Sequence, residues 1–232
     1  MNDSLERMVG QLLELAVPDA ASGARRLPPE RELCERLGVS RGALREQLAV
    51  LETLGFLHRT QGRGTFIGTP DDAFVRSYFA IAQQLGHLEQ QQFAQAREVL
   101  EESAAAAAAL TATPAAVAAL RADAQRMIDA AQRDDHEAAL DADVSFHRRL
   151  QHMVHNPVLH LLHEGLSHVL HDTIRSRRLA AVEVEQPRSD GIRAADQVHH
   201  DIVDAIARQN PDAARQAMRQ HFALWLALPV VQ

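Results

Sequence analysis

The chain has 232 residues, 46% of them hydrophobic but only 4% aromatic, so Leu, Ala, Val and Ile must fill any core. Its single cysteine, Cys34, excludes an internal disulfide framework. No apolar run approaches the roughly 18 residues of a bilayer span and no charged-then-apolar leader opens the sequence, so a soluble cytoplasmic protein is expected.

The net charge of −7 would argue against nucleic acid if it were evenly spread, but residues 1–70 hold nine Arg against nine acidic residues, and the other 15 Arg and 22 acids come after them. Within 40–63, Arg41, Arg45, Arg59 and Arg63 oppose only Glu46 and Glu52, a local basic excess of the kind DNA binding needs.

In chain order, Leu5, Met8, Val9, Leu12, Leu13 and Leu15 predict an amphipathic helix over 4–16. VPDAASGARRLPP (17–29) reads as a loop. ERELCERLG (30–38) reads as a short helix stopped by Gly38, and Ser40 as the N-cap of a third helix ended by Gly55. FLHRT (56–60), QGRG (61–64) and TFIG (65–68) read as strand, glycine turn and strand. From Asp71 onward the pattern is helical, near 72–85, 88–111, 114–132, 136–154, 158–180, 192–208 and 211–228. Breaks fall at Gly86, Thr113–Pro114, Asp134–Asp135, Asn156–Pro157, PRSDG (187–191) and Asn210–Pro211. The fold class is therefore mainly α, a small helix-and-hairpin region followed by an all-helical bundle.

Helix, tight turn, helix and two-stranded wing is the spacing of a winged helix-turn-helix, whose second helix lies in the major groove. Arg41 and Arg45, four apart, project from one face of that helix start and can grip phosphate or guanine. Ser40 and the helix N-terminus can meet phosphate. Gly62 and Gly64 allow a tight wing turn, and Arg63 can enter a minor groove. The stretch LPPERELCERLGVSRGALREQLAVLETLGFLHRTQGRGTFI resembles the winged helix-turn-helix of the GntR family of bacterial transcription regulators over some forty residues. That resemblance implies DNA contacts at Arg31, Arg41, Arg45 and the wing residues Gly62, Arg63, Gly64 and Thr65. Gly42-Ala43 departs from the family's frequent Thr-Pro and leaves the arginine pair intact.

Eleven of the thirteen histidines lie from His136 onward. Asp143 and His147 share a helical face at i and i+4, beside Leu140, Phe146 and Leu150, so both point toward the core. Gln209-Asn210-Pro211 forces the last two helices antiparallel. His199 lies ten residues before Gln209 and His221 ten after Pro211, so both sit roughly 15 Å from the turn. His199 aligns with Ile202, Val203 and Ile206, and His221 with Ala214, Met218 and Trp225, whereas its neighbour His200 shares a side with Asp196 and Asp204. One carboxylate and three imidazoles suit zinc first, with nickel, iron or manganese as alternatives; any one of these histidines alone reads more simply as a packed core residue, but four residues at matched heights and faces favour the metal site.

This region is similar to the helical effector (FCD-type) domain of the FadR-like subfamily of the same family, through AREVLEESAAAAAA, DVSFHRRL, HNPVLHLL, HxxIVDAI and MRQHF. The resemblance implies metal ligands at Asp143, His147, His199 and His221 and a small carboxylic acid as effector. Arg97 is a candidate to pair with the effector, or else an exposed partner of Glu101 at i+4. It also implies a homodimer on double-stranded operator DNA, with residues 1–69 binding DNA and 70–232 binding effector and dimerising. The alternatives are a metal-dependent hydrolase of the HD type, for which His171-Asp172 and His200-Asp201 offer dyads but no general base or nucleophile stands out, and a regulator of this family that binds its effector without metal.

Overall fold

The stripe that predicts the first helix buries Met8 and Leu12 in α1 (Asn2–Leu15). The structure, a computed structural model, describes residues 2–20, 22–69, 71–187, 189 and 191–228. The chain divides between Phe74 and Val75 into two compact units, within the first turn of a helix.

In the first unit, α2 (Glu30–Leu37) stops at Gly38, whose φ of 67° is the left-handed conformation of a helix end. α3 (Arg41–Thr53) starts at Ser40, whose hydroxyl accepts the Ala43 N–H at 3.2 Å. Leu33, Leu44, Leu48 and Leu51 close the core beneath them. The segment 17–29, expected to be loop, contains two short strands, β1 (Val17–Pro18) and β2 (Arg25–Arg26). They join the wing strands β3 (Leu57–Thr60) and β4 (Gly64–Ile67) in an antiparallel sheet of order β1-β2-β4-β3. Two-residue strands carry no periodicity, so only pairing shows them: Arg26 lies opposite Phe66. Gly62 and Gly64 have φ of 74° and 117°, which the wing turn requires of glycine.

Beyond residue 71 every regular element among the described residues is a helix: α4 (Ala73–Gln84), α5 (Gln90–Thr111), α6 (Pro114–Gln132), α7 (His136–Met153), α8 (Pro157–Val184), α9 (Ala194–Ala207) and α10 (Pro211–Ala227). The prolines stand at the first helical position, and Thr113, Asn156 and Asn210 cap the N-termini before them. α8 runs past the expected end at residue 180, since AVEV contains no helix breaker. The expected break at 187–191 includes Arg188 and Asp190, which lie outside the described residues.

α5 is the central helix. Ala104, Ala105, Ala108 and Ala109 are wholly buried, and their small side chains let α7, α8, α9 and α10 pack on it. Phe146, Leu150, Leu170, Ile174, Ile202 and Phe222 fill the space between. The buried face of α5 carries only two charged residues, Arg97 and Glu101, two turns and one turn before the alanine run. No described helix is long and apolar enough to cross a membrane.

α4 rests on α8 at Gly165, where an added Cβ would stand 2.5 Å from Val75 and 2.9 Å from Phe79. Gly165→Ala should gain about 1 kcal/mol of helix propensity but lose about 1–3 kcal/mol to overpacking, so thermal unfolding should show a net loss of stability. An unchanged or raised Tm would show that α4 does not dock there.

Candidate metal centre and nucleic-acid interface

Four helices bring their inward polar side chains to one place. His147 from α7, His199 from α9 and His221 from α10 are buried, and one ligand nitrogen from each lies within 4.8 Å of the others. Ring centroids are 4.7 Å apart for His199 and His221 and 4.9 Å for His147 and His221. Asp143, one turn before His147, places Oδ1 3.3 Å from His199 Nε2 and 3.9 Å from His147 Nε2. The fourth helix, α5, contributes Glu101 behind His147.

The outer nitrogens are already committed. Glu101 accepts a hydrogen bond from His147 Nδ1, and the Asp196 carbonyl accepts one from His199 Nδ1 at 3.3 Å. Each bond fixes the tautomer and leaves the Nε2 lone pair facing inward. Both Nε2 atoms are buried and have no hydrogen-bond partner, an arrangement that costs free energy unless something else occupies the lone pairs. Burial, followed by the repulsion of His199 and His147, pushes the pKa of His221 well below the ordinary histidine value. Burial also lowers that of His147, although Glu101 pulls the other way. Burial alone would raise the Asp143 carboxyl, but the His199 contact, Arg178 and His147 hold it well below the usual range. Three imidazoles around an ionised carboxylate form a donor set that fits a borderline divalent cation.

The residues that support the cluster are buried more deeply than their sequence pattern implies. Glu101 is fully buried and joins the cluster to Arg97, whose Nε donates to it at 2.6 Å, and to His163, whose Nε2 lies 3.4 Å away. The Arg97–Glu101 pair is therefore real but buried, contrary to the expected exposed pairing; its signal was a four-residue spacing in register with the alanine face. Arg178 of α8 clasps Asp143 at 3.2 Å and Asp196 at 3.0 Å. Asp196 is buried, so it does not share an outward side with His200; that histidine is half-buried and not among the clustered donors.

A cavity of about 50 Å³ opens beside the cluster, lined among others by Arg97, Asp143, Arg178, Arg193, His199 and His221. Arg97 thus faces the cavity while bound to Glu101. The dyad His171-Asp172 is exposed at the surface, and neither residue is among the clustered donors of the described residues.

In the first unit, Arg31, Arg41, Arg45 and Arg63 are all exposed. Arg45 Nε is held by Glu30 at 2.8 Å, and Arg59 lies 4.0 Å from the same carboxylate and 3.2 Å from Glu52. Arg63, at the wing tip, reaches Asp19 at 3.3 Å, and Arg31 lies 3.9 Å from Glu35. Ser40 keeps its hydroxyl on the helix start, so any phosphate contact shares that oxygen. The wing places Gly62, Gly64 and Thr65 beside Arg63, and the Arg26 guanidinium packs against Gly64 so closely that a Cβ there would meet it at 2.9 Å. Neither Glu30 nor Arg26 was singled out in the sequence.

Comparison with known proteins gives two matches to family models: "Bacterial regulatory proteins, gntR family" over residues 21–67 and "FCD domain" over residues 92–224. The chain is 33% identical over 204 residues to the putative L-lactate dehydrogenase operon regulatory protein of Escherichia coli K12, covering 85% of this chain and 75% of that one. It is 30% identical to the transcriptional repressor NanR of Citrobacter rodentium (97% and 86% covered) and 29% identical to the Uxu operon regulator of Haemophilus influenzae (92% and 77%). Among solved structures, Streptococcus agalactiae GntR superposes with a TM-score of 0.59 at 24% identity, covering 95% of this chain and 96% of that one, a likeness of fold.

Proposed function

Because the chain belongs to the GntR family of bacterial regulatory proteins and carries an FCD domain behind its winged helix, it is a DNA-binding transcriptional regulator and not an enzyme, and we propose that a small carboxylic acid, bound beside a divalent metal, controls it. The observation that carries this reading is the pair of buried, unpartnered Nε2 atoms of His147 and His199, facing His221 and Asp143 at the edge of an arginine-lined cavity. His147, His199, His221 and Asp143 would hold the ion, zinc in the first instance. When bound it supplies a Lewis-acidic anchor for a carboxylate. Glu101 and the Asp196 carbonyl orient the two imidazoles. Arg178, which neutralises Asp143 and Asp196, and Arg97 supply positive charge to the cavity wall.

One relative is named for the L-lactate dehydrogenase operon, which puts lactate and similar 2-hydroxy acids first among those to test. DNA recognition falls to Arg31, Arg41 and Arg45, Ser40 and the wing residues Gly62 to Thr65, acting in a homodimer on a two-fold operator in the cytoplasm. The acid can shift operator affinity only by binding the DNA-competent and incompetent states differently.

The test is fluorescence anisotropy on an operator selected from random duplexes, with zinc-loaded and chelator-stripped protein. A 2-hydroxy acid should change operator affinity by about 5- to 150-fold, the usual range of coupling, in the loaded protein alone. An equal shift in stripped protein would favour a metal-free effector site. No shift with any small acid would refute the effector class.

A further inference from the structure

A second set of histidines gathers at the corner between α7 and α8, away from the three-histidine cluster. His152 stands in the last turn of α7 and His160 in the first turns of α8. The connection between them is fixed: His155 takes a φ of 53°, and Asn156 accepts hydrogen bonds from Val158 and Leu159 N–H. That geometry sets the two imidazoles against each other, with ring centroids 4.0 Å apart and planes inclined by 49°.

His160 Nδ1 is shielded from solvent and has no hydrogen-bond partner, while His152 is exposed and open to an arriving ion. The nearby Glu164 carboxylate is bound by Arg148, at 2.7 and 2.9 Å, and His163 Nδ1 lies 3.9 Å from it. We propose that His152 and His160 form a second divalent-metal site at the α7–α8 corner, taking a borderline first-row cation such as nickel, copper(II) or zinc, with water in its remaining positions.

Burial, then the adjoining His160 ring, lowers the pKa of His152, with Arg148 and His163 adding to that and Glu164 opposing it, a direction that favours the metal-binding neutral ring. Among the described residues no third His, Cys, Asp or Glu donor joins the pair at close range, so the corner binds more weakly than a site with three or four protein ligands. Its loading would follow the free metal concentration. The proposal does not depend on the buried cluster being a metal site.

Calorimetric titration with nickel(II) of the full chain tests it. In a His199→Ala/His221→Ala background, checked for helicity by circular dichroism, one equivalent should still bind, and adding His152→Ala should abolish it. Should that background not fold, wild-type protein should bind one equivalent more than the His152→Ala variant, whose altered side chain is exposed, and His160→Gln should lose the same equivalent. Equal stoichiometry in wild type and both single variants would overturn the site, as would binding in the silenced background that survives His152→Ala, which would assign the ion to other surface histidines.

Discussion

Arg97→Ala should destabilise the helical domain by about 3–5 kcal/mol, because it leaves the fully buried Glu101 carboxylate without its guanidinium. For a domain of this size that is a fall in Tm of roughly 10 °C or more. Burial, the largest single influence, pushes the Glu101 pKa upward, and Arg97, His147 and His163 together outweigh it and hold the carboxyl low. Removing the largest favourable partner therefore strands a charge rather than deleting one contact. The double substitution Arg97→Met/Glu101→Gln removes both charges at similar volume and should recover most of the loss. Differential scanning calorimetry on the two proteins separates these cases. A single variant as stable as wild type would mean that the pair is not buried as described. Arg97 also lines the cavity, so the double variant, if folded, shows whether the effector needs that guanidinium.

Arg45→Ala should weaken operator binding by about 1–3 kcal/mol, roughly 5- to 150-fold. Arg45 sits one turn into α3, exposed, with Nε anchored by Glu30 at 2.8 Å. The Glu30 bond preorganises the fork and leaves the terminal nitrogens to reach a base or phosphate. If Arg45 reads a base, the variant should also lose discrimination at that position; if it grips only phosphate, binding should fall uniformly across sequences and the salt dependence should flatten. Arg208→Ala, which removes the same charge outside the DNA-binding unit, is the control for net charge. Equal binding by Arg45→Ala and wild type would remove this residue from the interface.

Much of this architecture could be read from local rules. Thr113-Pro114, Asn156-Pro157 and Asn210-Pro211 mark helix starts because a short polar side chain caps while proline fixes the first turn. The meeting of His199 and His221 was legible for a related reason: a three-residue turn and two apolar stripes determine height and facing together. Asp143 and His147 were legible as an i, i+4 pair on a core face.

What stayed hidden depends on contacts between distant segments. β1 and β2 exist through pairing with each other and with the wing, and two residues leave no pattern of their own. Arg178 looked like one of several arginines late in α8, and only the packing of α8 beside α7 and α9 gives it two buried carboxylates to clasp. Asp196 read as outward from its neighbour His200, yet Arg178 makes its burial tolerable. Glu101 was visible as a partner of Arg97, but its burial comes from the alanine face of α5 being covered on all sides. An i, i+4 ion pair carries no mark of depth.

Whether the buried cluster holds a divalent metal decides most of the functional reading. Metal content and zinc affinity, measured on purified wild-type protein beside His199→Ala and His221→Ala, test it without an intermediate step. Wild-type protein should carry about one tightly bound ion per chain. Each variant should lose more affinity than the roughly 10- to 100-fold that removing an orienting partner costs, since it loses a ligand itself. Zinc affinity and content indistinguishable between wild type and both variants would contradict a metal centre at these residues.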